Sequence, residues 1–253
     1  MFDDLSGKRV LVTGASSGLG AHFARLLAER GAHVAAAARR TDRLAALAQE
    51  SAGLPGKIVP VSLDVGSVAA IEKGIAEAAR LLGGIDVLVN NAGVGETEQA
   101  LSVSEAQWDQ QLDVNLKGCF FAAQAVAKLM AEQEDGGAIV NIASILGERV
   151  AGRVAPYAIS KAGLIQMTKA LALEWARHRI RVNALAPGYV MTDINREFFA
   201  GEAGEALKQR IPMRRPGELS DLDGPFLLLC SEAARYMTGS VVAVDGGHLV
   251  SGL

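Results

Sequence analysis

Short apolar runs alternate with longer segments of helical period along the whole chain, and this rhythm limits the possible folds more than any other feature. Arg9–Thr13, His33–Ala38, Lys57–Leu63, Asp86–Asn90, Ala138–Ala143, Arg181–Ala186 and Val241–Asp245 read as strands. Ala21–Arg30, Thr41–Ser51, Ser67–Leu82, Ser104–Met130 and Tyr157–His178 read as helices between them. Gly31 stops the first helix, and a Thr or Asp is placed to cap the second. Strands that alternate with helices build βαβ units, because parallel strands need a crossover to return. The expected fold is α/β: one doubly wound domain over residues 1–253, with a mostly parallel seven-stranded sheet and helices on both faces. The stretch 189–216, between Pro187 and Pro216, breaks the rhythm. It is expected to be an insertion over the crevice at the carboxyl ends of the strands, where such sheets take ligands.

Charge and residue usage exclude several functions. The net charge is −3 and no basic run stands out, which disfavours nucleic-acid binding. The two cysteines, Cys119 and Cys230, sit in apolar surroundings and form no CxxC pair, so they read as buried free thiols. His22, His33, His178 and His248 are scattered, with no HExxH or Cys/His cluster, so no metal is expected. No apolar run approaches the ~20 residues of a membrane span. The first residues, MFDDLSGKRVLVTG, carry acids where a secretory leader carries bases. A cytoplasmic protein is the expectation.

The first strand runs directly into Gly14-Ala15-Ser16-Ser17-Gly18-Leu19-Gly20, and a helix follows. Glycines here let the backbone turn tightly and approach a pyrophosphate, and the helix offers it unpaired N–H groups. A tight strand-to-helix turn with no ligand would need the same glycines. The strand before the turn and the helix after it favour a dinucleotide site of Rossmann type. An NAD enzyme commonly ends its second strand with an acid that binds the ribose 2′-hydroxyl. Here that position is Ala38, followed by Arg39 and Arg40. A missing acid beside arginines suits a 2′-phosphate, so NADP is expected over NAD, with Arg39 the better placed of the two.

The spacing TGxxxGxG resembles the signature of the short-chain dehydrogenase/reductase family. Asn90-Asn91-Ala92-Gly93 after the fourth strand resembles its NNAG segment. Asn115, Ser144 and Tyr157-Ala158-Ile159-Ser160-Lys161 match its Asn–Ser–Tyr–Lys set, and Pro187-Gly188 its PG after the sixth strand. The matches follow the family's order and span almost the whole chain. The resemblance implies an oxidoreductase that moves a hydride between NADP(H) and a carbonyl or secondary alcohol. It places Asp64 and Val65 against the adenine, although Asp64 suits a helix cap equally well. It brings the backbone of Asn91, Ala92 and Gly93 to a cofactor ribose, and Pro187, Gly188, Val190 and Thr192 to the nicotinamide. Thr192 is as well suited to capping a following helix.

Tyr157 and Lys161 are four residues apart, one turn of a helix, so they share a face. A free tyrosine is a poor base at neutral pH, and a fixed ammonium nearby stabilises the phenolate. Tyr157 is therefore the expected general acid/base, exchanging a proton with the substrate oxygen. Alone, the pair would more often be a surface helix pair. Between parallel strands and behind a glycine turn, the catalytic reading wins. Ser144, just past the fifth strand, could hydrogen-bond that oxygen. By resemblance, Asn115 holds a proton-relay water through its backbone, and Lys161 also bonds the nicotinamide ribose.

The pocket wall is expected from Ile145, Leu146, Tyr189, Phe198 and Phe199; Glu148, Arg149 and Arg153 could select a charged group or simply face water, and water is the favoured reading. The resemblance leaves the small-molecule substrate open. It includes 3-ketoacyl-carrier-protein reductases, and it implies a homotetramer, with a dimer as second choice. A catalytically silent nucleotide-binding regulator is the alternative of a different class.

Overall fold

The computed structural model describes residues 2–192 and 195–251. Each predicted strand forms within one residue of its expected ends. The elements run β1 (Arg9–Thr13), α1 (Gly18–Glu29), β2 (His33–Ala38), α2 (Thr41–Glu50), β3 (Lys57–Ser62), α3 (Val68–Leu82) and β4 (Val87–Asn90). They continue with α4 (Glu105–Leu112), α5 (Gly118–Ala131), β5 (Gly137–Ile142), α6 (Ala155–Trp175) and β6 (Ile180–Pro187). The last are α7 (Arg196–Ala200), α8 (Glu202–Lys208), α9 (Asp223–Cys230) and β7 (Val241–Val244).

The strands form one seven-stranded sheet in the order β3-β2-β1-β4-β5-β6-β7, and every pair is parallel. Successive side chains on a strand point to opposite faces. Val10 and Val12 of β1 therefore join one core, with Phe23 and Leu27 of α1 and Phe226 and Leu229 of α9. Leu11 joins the other, with Ile71 of α3, Val126 of α5 and Leu164 of α6. The rings of Phe23 and Phe226 stack with centroids 3.9 Å apart, which ties the first helix to the last. The strand order reverses between β1 and β4, so the loops after these two strands diverge and leave a crevice.

Several local features differ from the expectation. The predicted helix over 104–130 is two helices joined by a π-helical turn at Asp113–Lys117. Its start is capped by Ser104, which forms a reciprocal capping box with Gln107. No side chain caps α2, because Thr41 is its first helical residue and Arg40 holds the cap position. The stretch 189–216 contains the short helices α7 and α8, and α9 follows it. Residues 193 and 194 of that stretch lie outside the described residues. Both cysteines are free and buried, and burial pushes the Cys119 thiol up to about 11. Among the described residues no helix is long and apolar enough to cross a membrane.

Candidate active site

The crevice begins at the turn after β1. Gly14 has φ +68°, and a Cβ there would stand 2.7 Å from Ala92 Cα, so the turn lies directly against the chain leaving β4. Four hydrogen bonds hold the two together, one of them from Asn91 Nδ2 to Gly14 O at 3.3 Å. Thr13 Oγ1 accepts from the N–H groups of Asn91 and Ala92, both at 3.1 Å, and Asn91 Nδ2 donates to Thr13 O at 3.0 Å. Gly20 packs beneath the turn, where a Cβ would meet Gly14 O at 2.4 Å. Ser17 occupies the cap position of α1 but makes no capping bond, which leaves the first N–H groups of the helix open to a ligand.

Arg40 lies across this turn. Its Nη2 donates to Ser16 Oγ at 2.9 Å and to Ser17 Oγ at 2.8 Å. Arg39 is exposed and has no hydrogen bond or ion pair among the described residues. Asp64 does not cap α3. Its Oδ1 accepts from Gly66 N at 3.0 Å in a local turn, and Ser67 takes the cap position, accepting from Ala70 N. Gly14, Ser16, Ser17, Gly18, Leu19, Arg39, Arg40, Asp64, Val65, Asn91, Ala92, Gly93 and Thr192 all line one cleft of about 490 Å³. It adjoins a second cleft of about 410 Å³, and Leu19, Asn91, Gly93, Val94 and Thr192 border both.

Ser144, Tyr157, Lys161, Pro187, Gly188 and Val190 line this second cleft. Ser144 follows β5, and its Oγ accepts from Leu146 N at 3.1 Å. Tyr157 and Lys161 lie one turn apart on α6, whose first turn carries Pro156. Lys161 is only 4% exposed; its Nζ donates to Ile142 O at 2.8 Å and stands 5.6 Å from the centre of the Tyr157 ring. The Tyr157 hydroxyl has no protein partner among the described residues.

Asn115 is fully buried beneath the cleft and borders neither part of it. Its Oδ1 accepts from Val94 N and its Nδ2 donates to Val94 O, both at 2.8 Å. Nδ2 also donates to Ser160 Oγ at 3.1 Å, and Ser160 Oγ donates to Tyr157 O at 2.7 Å. The side chain thus joins the loop after β4 to the turn of α6 that carries Tyr157. The π turn presents Asn115 there, and Gly118 just after it packs where a Cβ would meet Val65 O at 2.3 Å. π turns inside helices often mark functional positions.

Other expectations are corrected. Phe198 and Phe199 do not border the cleft: Phe199 is buried and packs edge-on against Phe198, 5.3 Å between centroids. Arg149 does not face water, since its Nη1 donates to His248 O and Ser251 Oγ. Glu148 and Arg153 are exposed, as expected. Thr192 does not cap α7. Asn195 holds that position, accepts from Thr192 N at 2.7 Å and donates to Val190 O at 2.8 Å. Asn195, Val94 and Gly95 also line the cleft, and sequence reasoning missed all three. Gly95 had a usable signal, because it closes the glycine-rich run after β4. A Cβ there would lie 3.2 Å from the Tyr157 ring.

The family described as "Enoyl-(Acyl carrier protein) reductase" matches residues 14–248. The 3-oxoacyl-[acyl-carrier-protein] reductase FabG of Thermotoga maritima is 39% identical over 246 residues, 97% of this chain and 99% of that protein. A short-chain type dehydrogenase/reductase from Mycobacterium marinum superposes with a TM-score of 0.91 at 40% identity, covering 98% of this chain and 97% of that one. A gluconate 5-dehydrogenase from Burkholderia cenocepacia, solved in complex with NADP and tartrate, superposes with a TM-score of 0.93 at 34% identity, covering 99% of both chains.

Proposed function

Since the chain belongs to the short-chain dehydrogenase/reductase family, we propose that it interconverts a carbonyl and a secondary alcohol using NADP(H), with Tyr157 as general acid/base. The observation that carries this is the unpartnered Tyr157 hydroxyl beside the buried Lys161 ammonium, in a cleft continuous with the glycine turn. When bound, the nicotinamide supplies or accepts the hydride. In reduction, Tyr157 gives its proton to the oxygen that becomes the alcohol; in oxidation it takes that proton back. Ser144 donates a hydrogen bond to the same oxygen. Lys161 stabilises the phenolate and bonds the nicotinamide ribose. Asn115 fixes the geometry through Val94 and Ser160, while its backbone holds the relay water.

The glycine turn fits a pyrophosphate, because a Cβ at Gly18 would meet nothing within 4 Å and no side chain caps the first N–H groups of α1. The same cleft ends at Arg39 and Arg40, and no acid stands at Ala38. Arg39 offers its whole guanidinium to a 2′-phosphate, and Arg40 reaches the same end through Ser16 and Ser17. Alanine at either arginine is expected to weaken NADPH about tenfold and NADH little. Fluorescence titration with both nucleotides checks this, and an equal loss for both would overturn the assignment of NADP.

The Thermotoga maritima relative favours a second reading, reduction of a 3-ketoacyl group on a carrier protein. Turnover of an acyl-carrier substrate against a panel of free ketones separates the two. Self-association is supported by a groove of about 1310 Å³ between α5 and α6, lined by Leu116, Phe120, Phe121, Met167 and Trp175, with Leu173 84% exposed at its side. A second copy covering it would make a dimer, and two such dimers joined through another face would make a homotetramer. Leu173→Glu is expected to lower the mass measured by light scattering; an unchanged mass would place the interface elsewhere.

A further inference from the structure

Three polar side chains are buried in the core and border neither part of the cleft: Asn90 of β4, Asn141 of β5 and Thr168 of α6. Asn90 stands opposite Asn141 in the sheet. Its Nδ2 donates to Asn141 Oδ1 and to Cys119 O, both at 3.0 Å. Asn141 Nδ2 donates to Thr168 Oγ1 at 2.9 Å, and Thr168 Oγ1 donates to Leu164 O at 2.8 Å. The polarity of this chain is fixed. The one hydroxyl hydrogen of Thr168 is spent on Leu164 O, so toward Asn141 it can only accept. An inverted Asn141 amide would set acceptor against acceptor at Thr168 and donor against donor at Asn90.

Apolar contact is non-directional, so it lets a helix slide or roll by a fraction of a residue. A satisfied buried network accepts one arrangement. Here it acts on the helix that carries Tyr157 and Lys161. Lys161 Nζ donates to Ile142 O at 2.8 Å, and Ile142 is the residue after Asn141. Lys161 and Thr168 are seven residues apart, two turns to within about 20°, so one face of α6 meets one stretch of β5 twice. Lys161, with Ser160 bonded to Asn115, holds the first point, next to the cleft. Thr168 holds the second, about 10 Å further along the axis. A rod held at one point can still tilt; held at two, it cannot.

We propose that Asn141 and Thr168 are positioning residues for the reaction: their hydrogen bond fixes the lie of α6 over β5, and so the place of the Lys161 ammonium beside Tyr157. This rests on reading the cleft as the site of hydride transfer, but the placement of Lys161 is measured without turnover. The test is a series at position 168. Thr168→Ser keeps the hydroxyl. Thr168→Cys offers Asn141 a weak sulfur acceptor in nearly the shape of serine, and Thr168→Val keeps the branched outline without an acceptor. Acetic anhydride labelling, well below the melting temperature, is read by mass spectrometry as the ratio of Lys161, 4% exposed, to the exposed Lys73 of α3. The ratio is expected to be unchanged in Thr168→Ser and to rise about threefold or more in Thr168→Val, with Thr168→Cys between. At saturating NADPH, kcat is expected to fall about tenfold in Thr168→Val while KM stays within about twofold, because neither residue borders the cleft. Thr168→Ser is expected to keep both. Leu171→Ala, on the same helix and in the same core, removes packing without touching the network. It is expected to lower Tm at least as much as Thr168→Val and to leave the ratio and kcat near their unaltered values.

An unchanged Lys161 ratio in Thr168→Val, or an equal rise in Leu171→Ala, would overturn the proposal. So would a kcat that follows Tm across the variants rather than the acceptor at position 168, or a raised ratio with an unaltered kcat. If Thr168→Val does not fold, the comparison of Thr168→Cys with Thr168→Ser decides, and equal ratios in those two would overturn the proposal. If the protein turns over no carbonyl or alcohol, the hydride-transfer reading falls by itself, and the labelling still decides whether the pair holds Lys161.

Discussion

Tyr157→Phe is expected to fold, to bind NADPH like the unaltered protein, and to lose about 10²–10⁴-fold in kcat. The fold survives because the hydroxyl makes no protein hydrogen bond among the described residues, so its removal leaves no buried group unsatisfied. The ring still fills the space that Gly95 leaves for it. Chemistry suffers because the other phenol of the cleft, Tyr189, does not share a helix face with the buried Lys161 ammonium as Tyr157 does. Ser144 can polarise the oxygen, but its hydroxyl is too weak an acid to replace the phenol. Thermal melting and nucleotide titration establish the first two results, and steady-state rates with any substrate the protein turns over establish the third. A rate within threefold or so of the unaltered protein would remove Tyr157 from the mechanism.

Gly14→Ala should do the opposite, damaging the scaffold before the chemistry. A Cβ at this position would stand 2.7 Å from Ala92 Cα and 3.0 Å from Ala92 N, and neither backbone atom can yield cheaply. The backbone is also left-handed there, with φ +68°. Together these cost about 2–4 kcal/mol, by overpacking and by strain. For a chain of this size that lowers Tm by roughly 5–15 °C. Forcing the turn away from β4 also breaks the Asn91 bonds to Thr13 and Gly14, so NADPH affinity should fall more than tenfold. Gly224→Ala is the control, since a Cβ on that helical glycine meets nothing within 4 Å. Equal melting curves and equal affinities for the two variants would show that the turn is not held by contact with β4.

The strands were legible in the sequence because a strand covered on both faces is apolar without interruption. The glycine turn and the Tyr157–Lys161 pair were legible because their geometry is local, fixed within a few residues of backbone. What escaped depends on distant contacts. Arg149 reads as a loop charge, and only the fold brings it to the carbonyl of His248. Phe199 reads as a pocket wall, yet the packing of α7 against α8 turns it inward. The eight residues of α9, DGPFLLLC, are too short and too uniformly apolar to show a helical period. Asn115 could be singled out by resemblance, but its bonds to Val94 and Ser160 join three segments that are remote in sequence.

The π turn at Asp113–Lys117 resets the phase of the rod it interrupts. An added residue rotates everything beyond it by about 100° relative to an unbroken helix. Before the turn, Gln110 faces the dinucleotide cleft; beyond it, Cys119, Ala123 and Val126 face the sheet. One continuous α-helix could not serve both directions with this spacing of side chains. Removing Val114 would let the ladder close as an ordinary helix with its two halves still in phase, but it would take away the widened turn that presents Asn115. A single-residue deletion should therefore leave the packing of α4 and α5 nearly intact here, where in a neighbouring helix it would turn everything beyond it by about 100°, and its damage should fall on Asn115 and its bonds to Val94 and Ser160.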